Sequence, residues 1–294
     1  MDQAPGKIAL VLGGGGARGL AHIGVLKRLE EAGVVSEVIV GTSIGALIGG
    51  AYASGMGVTA MEKVVASLDF LAVAKIFRPG IPLSGIVDGG RVEKLLRSHI
   101  GSRTIESLPV PFRAVATDLI SGEDVVFDRG PLVDAILASI AIPVLFKPVL
   151  RRGRYVVDGG LSNPLPVSVA QRLSAAPSVA VNVSPDPAKV DEVSRSRRDS
   201  KIRKLEKFAP AGLKLPFAAA PTLLDVFLQT LTISTYNLIL KRLERERPRV
   251  LVSPDTAEFG LLEFYKGTAI AARGYEEAGR VLPLITSILS ASPT

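Results

Sequence analysis

The sequence predicts an α/β fold with a mostly parallel sheet flanked by helices. Short apolar runs closed by glycine or proline alternate along the chain with stretches of helical spacing. Two of those runs pass straight into a helix through glycine corners, at Gly13–Gly19 and at Gly41–Gly45. With apolar residues at 47% and mean hydropathy at +0.35, a chain of 294 residues has ample material for a core. Tryptophan is absent and aromatic residues are few, so that core must rest on Ala, Val, Leu and Ile.

Lys7-Ile8-Ala9-Leu10-Val11-Leu12 reads as a buried strand that stops at Gly13-Gly14-Gly15-Gly16-Ala17-Arg18-Gly19. Leu20, Ile23, Leu26 and Leu29 then recur at near-helical spacing, and Gly33 supplies a stop. Val38-Ile39-Val40 is a second strand and leads into Gly41-Thr42-Ser43-Ile44-Gly45, followed by a small-residue helix to Ala53. A helix is expected over Val58–Phe77, broken by Arg78-Pro79-Gly80, and another from Asp88 to His99. Phe112–Asp118 is a third strand, and Ser121-Gly122 turns it into Asp124–Phe127 as a hairpin. Leu132–Ile140 is helical, Val149–Val157 a hairpin turned at Arg152-Gly153, and a helix runs to Leu173. Val179–Val183 is a buried strand, Leu223–Arg247 a long helix, Arg249–Pro254 a last strand and Ala269–Leu282 a last helix.

Several functions are excluded by composition. No cysteine is present, which removes disulfides, thiolate catalysis and Cys-based zinc sites and fits a reducing compartment. Neither a metal nor a cofactor is expected. Met1–Pro5 carries an acid where a signal peptide needs cations, and the longest apolar stretch, Ala135–Phe146, is too short to span a bilayer. The expectation is a soluble, cytoplasmic protein. Its net charge of +7 favours an anionic partner. Nucleic acid is set aside, since no aromatic-basic interleaving of the RNA-recognition type occurs. An acidic membrane surface remains, and the densest positive charge, Arg195 to Lys207, is the segment that would touch it. A solvated charged face is the plainer reading of that segment.

The glycine loop admits three chemical readings besides a tight turn. Gly14-x-Gly16-x-x-Gly19 fits a dinucleotide fingerprint, but the second strand ends in Gly41-Thr42-Ser43 where the ribose-binding acid should stand. A Walker A loop would close on Gly-Lys-Ser/Thr, and Arg18-Gly19-Leu20 does not. An oxyanion hole requires backbone N–H groups converging beside a helix N-terminus, which this loop can supply. Gly41-Thr42-Ser43-Ile44-Gly45 has the Gly-x-Ser-x-Gly form of a nucleophile elbow, in which strand and helix approach so closely that the flanking positions must be bare. The Ile44 N–H would point at the same spot as the Ser43 hydroxyl.

A serine nucleophile needs a proton acceptor. The chain has two histidines, His22 and His99, and none follows His99, where the histidine of a Ser-acid-His order would lie. His22 reads as a helix-face residue and His99 as a cation at a helix C-terminus. A carboxylate held in an apolar site can serve instead, because burial raises its pKa. Asp158, on the turn Gly159-Gly160 after an apolar strand, is the candidate, presented at a sheet edge rather than capping a helix; an ordinary Asp-Gly turn is the alternative.

In their order and spacing, Gly14-Gly15-Gly16-Ala17-Arg18-Gly19, Gly41-Thr42-Ser43-Ile44-Gly45 and Asp158-Gly159-Gly160 resemble the patatin-like phospholipases, the bacterial members most closely. The catalytic domain of neuropathy target esterase is a more distant look-alike. Ala138–Pro143 and Leu161–Pro166 extend the likeness, which covers about residues 7–275 and leaves 1–6 and 284–294 as tails. The segment 189–221 falls where the family is variable, and nothing carries over to it. The resemblance implies a single three-layer patatin-like domain and a Ser-Asp dyad, Ser43 as nucleophile and Asp158 as general base. It also implies an oxyanion hole on Gly14, Gly15 and Gly16 supported by Arg18, with Gly19, Gly41, Gly45, Gly159 and Gly160 as motif positions. The implied activity is lipid acyl hydrolysis on a phospholipid or lysophospholipid ester. Acyl transfer on the same dyad, or membrane-surface binding with little turnover, are the alternatives.

Overall fold

The structure, a computed structural model, describes residues 6–76, 89–193 and 222–291. The basic stretch 195–207 and its apolar sequel to Pro221 lie outside the described residues. Eight strands form one mixed sheet: β1 (Lys7–Leu12), β2 (Val35–Thr42), β3 (Phe112–Asp118), β4 (Asp124–Phe127), β5 (Val149–Arg151), β6 (Arg154–Asp158), β7 (Ser178–Val181) and β8 (Val250–Val252). Their order is β5-β6-β3-β2-β1-β7-β8, with β4 added to β3. The five strands β3, β2, β1, β7 and β8 run parallel, and β4, β6 and β5 supply the antiparallel pairs. The parallel strands are buried on both faces, which is why they read as continuous apolar runs rather than as alternation.

Helices cover both faces. On one side α1 (Ala21–Glu31), α2 (Ile44–Ala53), α3 (Val58–Ala66), α5 (Gly89–Ile100), α6 (Leu132–Ser139) and α10 (Gly267–Ala291) enclose the larger core around Leu10, Leu12, Ile39 and Phe112. On the other, α7 (Val167–Leu173) and α9 (Leu223–Arg245) cover Val11, Val40 and Val115. A short helix α4 (Phe70–Ile76) and a helical stretch over 187–193 (α8) complete the described set.

The expected helix over Val58–Phe77 is two helices. Asp69 accepts the Ala72 N–H at 2.7 Å, so it caps α4 and interrupts the preceding run. The expected tail from 284 is helix as far as Ala291, although Pro283 removes one backbone donor. Ile285 is buried, and Ile288 and Leu289 pack on the core, so tertiary burial outweighs the proline. One described helix, α9, is long and apolar enough to cross a membrane by length and composition, a property the Ala135–Phe146 stretch lacks. Its last turns are tied to the body: Ile239 is fully buried and Arg242 bonds the Ser162 carbonyl.

α10 crosses α1 at backbone contact distance. A Cβ on Gly24 would overlap the Ala271 carbonyl, and one on Gly274 would overlap the Ala21 carbonyl. Gly24→Ala and Gly274→Ala are each expected to lower unfolding free energy by about 2 kcal/mol or more, because backbone cannot swing aside. Gly279→Ala, on the same helix with 3.5 Å to the nearest atom, should be neutral or stabilising. Urea unfolding of the three variants checks this contrast.

Candidate active site

Ser43 sits at the corner between β2 and α2 with φ of 54° and ψ of −124°, a conformation that costs a non-glycine residue about 1–3 kcal/mol. The surroundings hold it there. Its N–H donates to Ser139 Oγ at 2.8 Å, and its carbonyl accepts from Ala46 at 2.9 Å and Leu47 at 3.1 Å. A side chain on Gly41 would overlap the Gly45 carbonyl, and one on Gly45 would overlap the Leu12 carbonyl. The elbow spacing therefore has the physical cause expected from the sequence.

Asp158 arrives by strand register. Thr42 lies beside Val115, and Ala116, the next residue of β3, pairs with Asp158 at the end of β6. Ser43, one past Thr42, is thus level with Asp158 across β3. Ser43 Oγ donates to Asp158 Oδ2 at 2.5 Å, and both residues are buried. Burial pushes the Asp158 carboxyl up to about 6, against the opposing pull of the bonds from Ser43 and the Gly160 N–H. Two expectations for Asp158 need correction. β6 lies between β3 and β5 rather than at a sheet edge. The side chain also caps the 3-10 turn Gly159–Leu161 through Gly160 N–H to Oδ1 at 2.7 Å, which leaves Oδ2 for the serine.

The glycine loop passes directly over Ser43, with a Gly14 Cβ position 3.4 Å from the Ser43 Cβ. Of the three expected donors, Gly14 is already committed: its N–H donates to the Pro164 carbonyl at 2.9 Å, tying the loop to the segment after Asp158. The N–H groups of Gly15, Gly16 and Ile44 have no partner among the described residues. Ile44 opens α2, so its N–H also carries that helix's positive end. Arg18 is buried beneath the loop and donates Nε to the Phe259 carbonyl at 2.7 Å; burial lowers it to about 10, with Glu263 opposing. Gly19 lies against the Ile44 side chain and Gly159 over the Val115 carbonyl, each where a Cβ would collide.

His22 is not the surface residue its helix position suggests. It is fully buried and donates Nε2–H to the Gly13 carbonyl at 2.8 Å, at the entrance to the glycine loop. Burial lowers it to about 4, so it is neutral, and Nδ1 has no partner among the described residues. His99 is exposed at the end of α5, with Nδ1 bonded to the Leu95 carbonyl at 2.9 Å. Neither histidine bonds Ser43.

Several supporting residues escaped the sequence. Ser139 holds the elbow N–H and donates to the Val115 carbonyl, bridging both strands. Thr42 Oγ1 donates to the Asn163 carbonyl, and Thr117 Oγ1 to the Asp158 carbonyl. Arg242 of α9 donates Nε and Nη2 to the Ser162 carbonyl. Hydroxyls inside apolar elements were the available signal; for Arg242, 80 residues from its acceptor, the sequence carries none.

Two cavities meet at Ser43. One is a short mouth between Gly15, Arg18, Asp158 and Leu161, walled by Leu228 and Leu231 of α9. The other is lined almost wholly by aliphatic side chains of α2, α3 and α5 and by Phe146. No cluster of three or more potential metal-ligating side chains occurs among the described residues.

The patatin-like phospholipase family model matches residues 10–170, which contain the glycine loop, the elbow and Asp158. An uncharacterized NTE family protein of Mycobacterium tuberculosis is 36% identical over 286 residues, covering 93% of this chain and 45% of that protein. Another, of Mycobacterium bovis, is 40% identical over 178 residues, covering 60% of this chain and 49% of its own. The neuropathy target esterase sws of Drosophila melanogaster is 32% identical over 184 residues, covering 60% of this chain and 13% of that protein. The chain spans about half the length of the mycobacterial relatives and a smaller share of the fly protein.

The raised carboxyl has a measurable consequence. Because the folded value lies above that of a free aspartate, ionisation of Asp158 opposes folding. Its favourable contribution is complete below the unfolded value and is lost as pH rises through about 6. Asp158→Asn cannot ionise, so at pH 8 it should exceed the parent protein in stability by at most about 3 kcal/mol, a gap that narrows as pH falls towards 4. Urea unfolding at both pH values measures it.

Proposed function

The chain belongs to the patatin-like phospholipase family, and we propose that it is a serine lipid acyl hydrolase working through a Ser43–Asp158 dyad. The observation that carries this is the 2.5 Å bond from Ser43 Oγ to a buried carboxylate at the mouth of an apolar cavity. A carboxylate with its basicity raised to about 6 can take a proton from an alcohol it already holds. Neither histidine competes as the base, since His22 Nε2 is taken up by the Gly13 carbonyl and His99 Nδ1 by the Leu95 carbonyl.

In this mechanism Ser43 Oγ attacks the ester carbonyl carbon while its proton passes to Asp158 Oδ2. The carbonyl oxygen becomes an oxyanion held by the open N–H groups of Gly15 and Gly16, each worth roughly 3 kcal/mol when such a donor is removed from other enzymes. The C–O bond to the leaving alcohol then breaks, and Asp158 returns the proton to that alcohol. A water molecule enters, gives its proton to Asp158 and attacks the acyl-enzyme, and Ser43 regains its proton as the fatty acid leaves. Ser139 acts at one remove, by holding the elbow N–H and so the aim of the hydroxyl. The substrate class, a phospholipid or lysophospholipid ester, comes from the family and from the apolar cavity.

A fluorophosphonate probe should label Ser43. Ser43→Ala and Asp158→Asn should each lower turnover of lipid esters by about a thousandfold or more with the fold retained. Full activity in either folded variant contradicts the dyad. Product analysis with an added alcohol separates hydrolysis from acyl transfer.

Activity should also fall about tenfold per pH unit below pH 6 and level off above it, because Asp158 must be ionised to act. A kcat/KM profile that stays flat to pH 4.5 would remove Asp158 as the base.

A further inference from the structure

We propose that the apolar cavity measures the acyl chain of the substrate, with Met56, His99 and Ile100 forming the stop at its far end. The inference rests on Ser43 being the acyl acceptor and adds which acyl group that serine can accept.

One face of the elbow helix lines the cavity along its whole length. Ile44, Leu47, Ile48 and Ala51 all face it, at spacings of three, four and seven residues, which is one stripe of an α-helix. Ser43 stands at the start of that stripe, and Met56, just past the helix, stands at its end. The cavity therefore runs parallel to α2 from the reacting hydroxyl. The opposite walls come from α3 and α5, including Val65 and Leu96, and between Ser43 and the far end they are apolar. Between Ser43 at one end and His99 at the other the lining offers no hydrogen-bonding side chain, so the moiety that fits is an unbranched alkyl chain.

The far end is defined by three residues that line two spaces at once. Met56, His99 and Ile100 border the cavity on one side and a shallow polar groove with Ser54, Ser98 and Arg103 on the other. The partition is one side chain thick. A methyl terminus that passed it would leave hydrocarbon surroundings for a groove of hydroxyl, imidazole and guanidinium groups, losing the gain of burial.

Helix α2 has 10 residues, which at 1.5 Å each gives a path of about 15 Å. An all-trans chain advances about 1.25 Å per carbon, from a C–C bond of about 1.52 Å. The stop thus falls at about 12 carbons. Ala51 lies eight residues beyond Ser43, or about 12 Å along the path, so bulk added there would stop a chain at about ten carbons.

The test is kcat/KM for p-nitrophenyl esters of 4 to 16 carbons. In the parent protein it should rise by up to about fourfold per methylene, the equivalent of about 0.8 kcal/mol, and break at about 12 carbons. Met56→Ala should move the break outward by about three carbons, and Ala51→Leu should move it inward by about two. If Ala51→Leu does not fold, Met56→Ala decides alone, since its side chain is half-buried at a turn. A break at the same length in the parent and in Met56→Ala overturns the proposal, as does a parent profile with no break. Labelling of Ser43 by an ethyl fluorophosphonate, too short to occupy the cavity, reports the dyad separately. Loss of that labelling in the parent protein tells against Ser43 as nucleophile, whereas full labelling with an unmoved break removes the stop alone.

Discussion

The hydrogen bond between Ser43 and Asp158 is possible only because three strands hold one register. Thr42 beside Val115 and Ala116 beside Asp158 bring residues 115 positions apart to one level of the sheet. A slip of one residue in β6 would turn the carboxylate to the opposite face, where α7 and α9 pack. The antiparallel insertion of β6 at β3 is therefore as necessary to the site as the elbow itself.

That pair is costly to maintain. Ser43 is held in a strained backbone conformation, and Asp158 is held in an apolar setting that disfavours its charge. The compensation is local and specific. Ser139 satisfies the elbow N–H, Gly160 satisfies one carboxylate oxygen, and Thr117 bonds the Asp158 carbonyl. Around this, Thr42 and Arg242 clamp the segment 162–163, while His22 and Pro164 fix both ends of the Gly13-Gly14 step. The loop is thus rigid where it carries no reaction and open at Gly15 and Gly16. Strain at the centre with hydrogen bonds at the rim is how a folded domain keeps a preorganised polar site inside a hydrocarbon core.

The same helix serves both halves of the site. Its N-terminus presents Ser43 and the free Ile44 N–H, and its side chains line the apolar cavity. On the other side of the serine the mouth is bordered by Arg18 and by Leu228 and Leu231 of α9. Two spaces therefore meet at one hydroxyl, one apolar along its length and one that adds Arg18, Asp158 and the glycine loop to a leucine wall. α9 links that mouth to the body through Arg242, so its apolar first half and its anchored last half lie on one continuous helix.

Much of this was legible in the residues alone. The strands Lys7–Leu12 and Phe112–Asp118, the elbow, the glycine loop and the Asp158 turn each follow from local rules: apolar runs, bare positions at close approaches, and a turn after a strand. The absence of a histidine after His99 pointed to a carboxylate base because composition is a global property that folding does not change. What the sequence could not supply were pairings between distant segments. Burial of Ile285 carried α10 past Pro283, and Pro164 took the Gly14 N–H, whereas the Asp69 cap that divides a helix is a local contact hidden inside an apolar run. Ser139 and Thr117 showed only as hydroxyls inside apolar elements, and Arg242 left no local trace, for the same reason as the Pro164 bond. Local propensity decides which residues turn or coil, but a hydrogen bond between residues a hundred positions apart exists only once the sheet has set their heights. The elbow was thus determined by the sequence, and its partner, its open donors and the path of its cavity by tertiary packing.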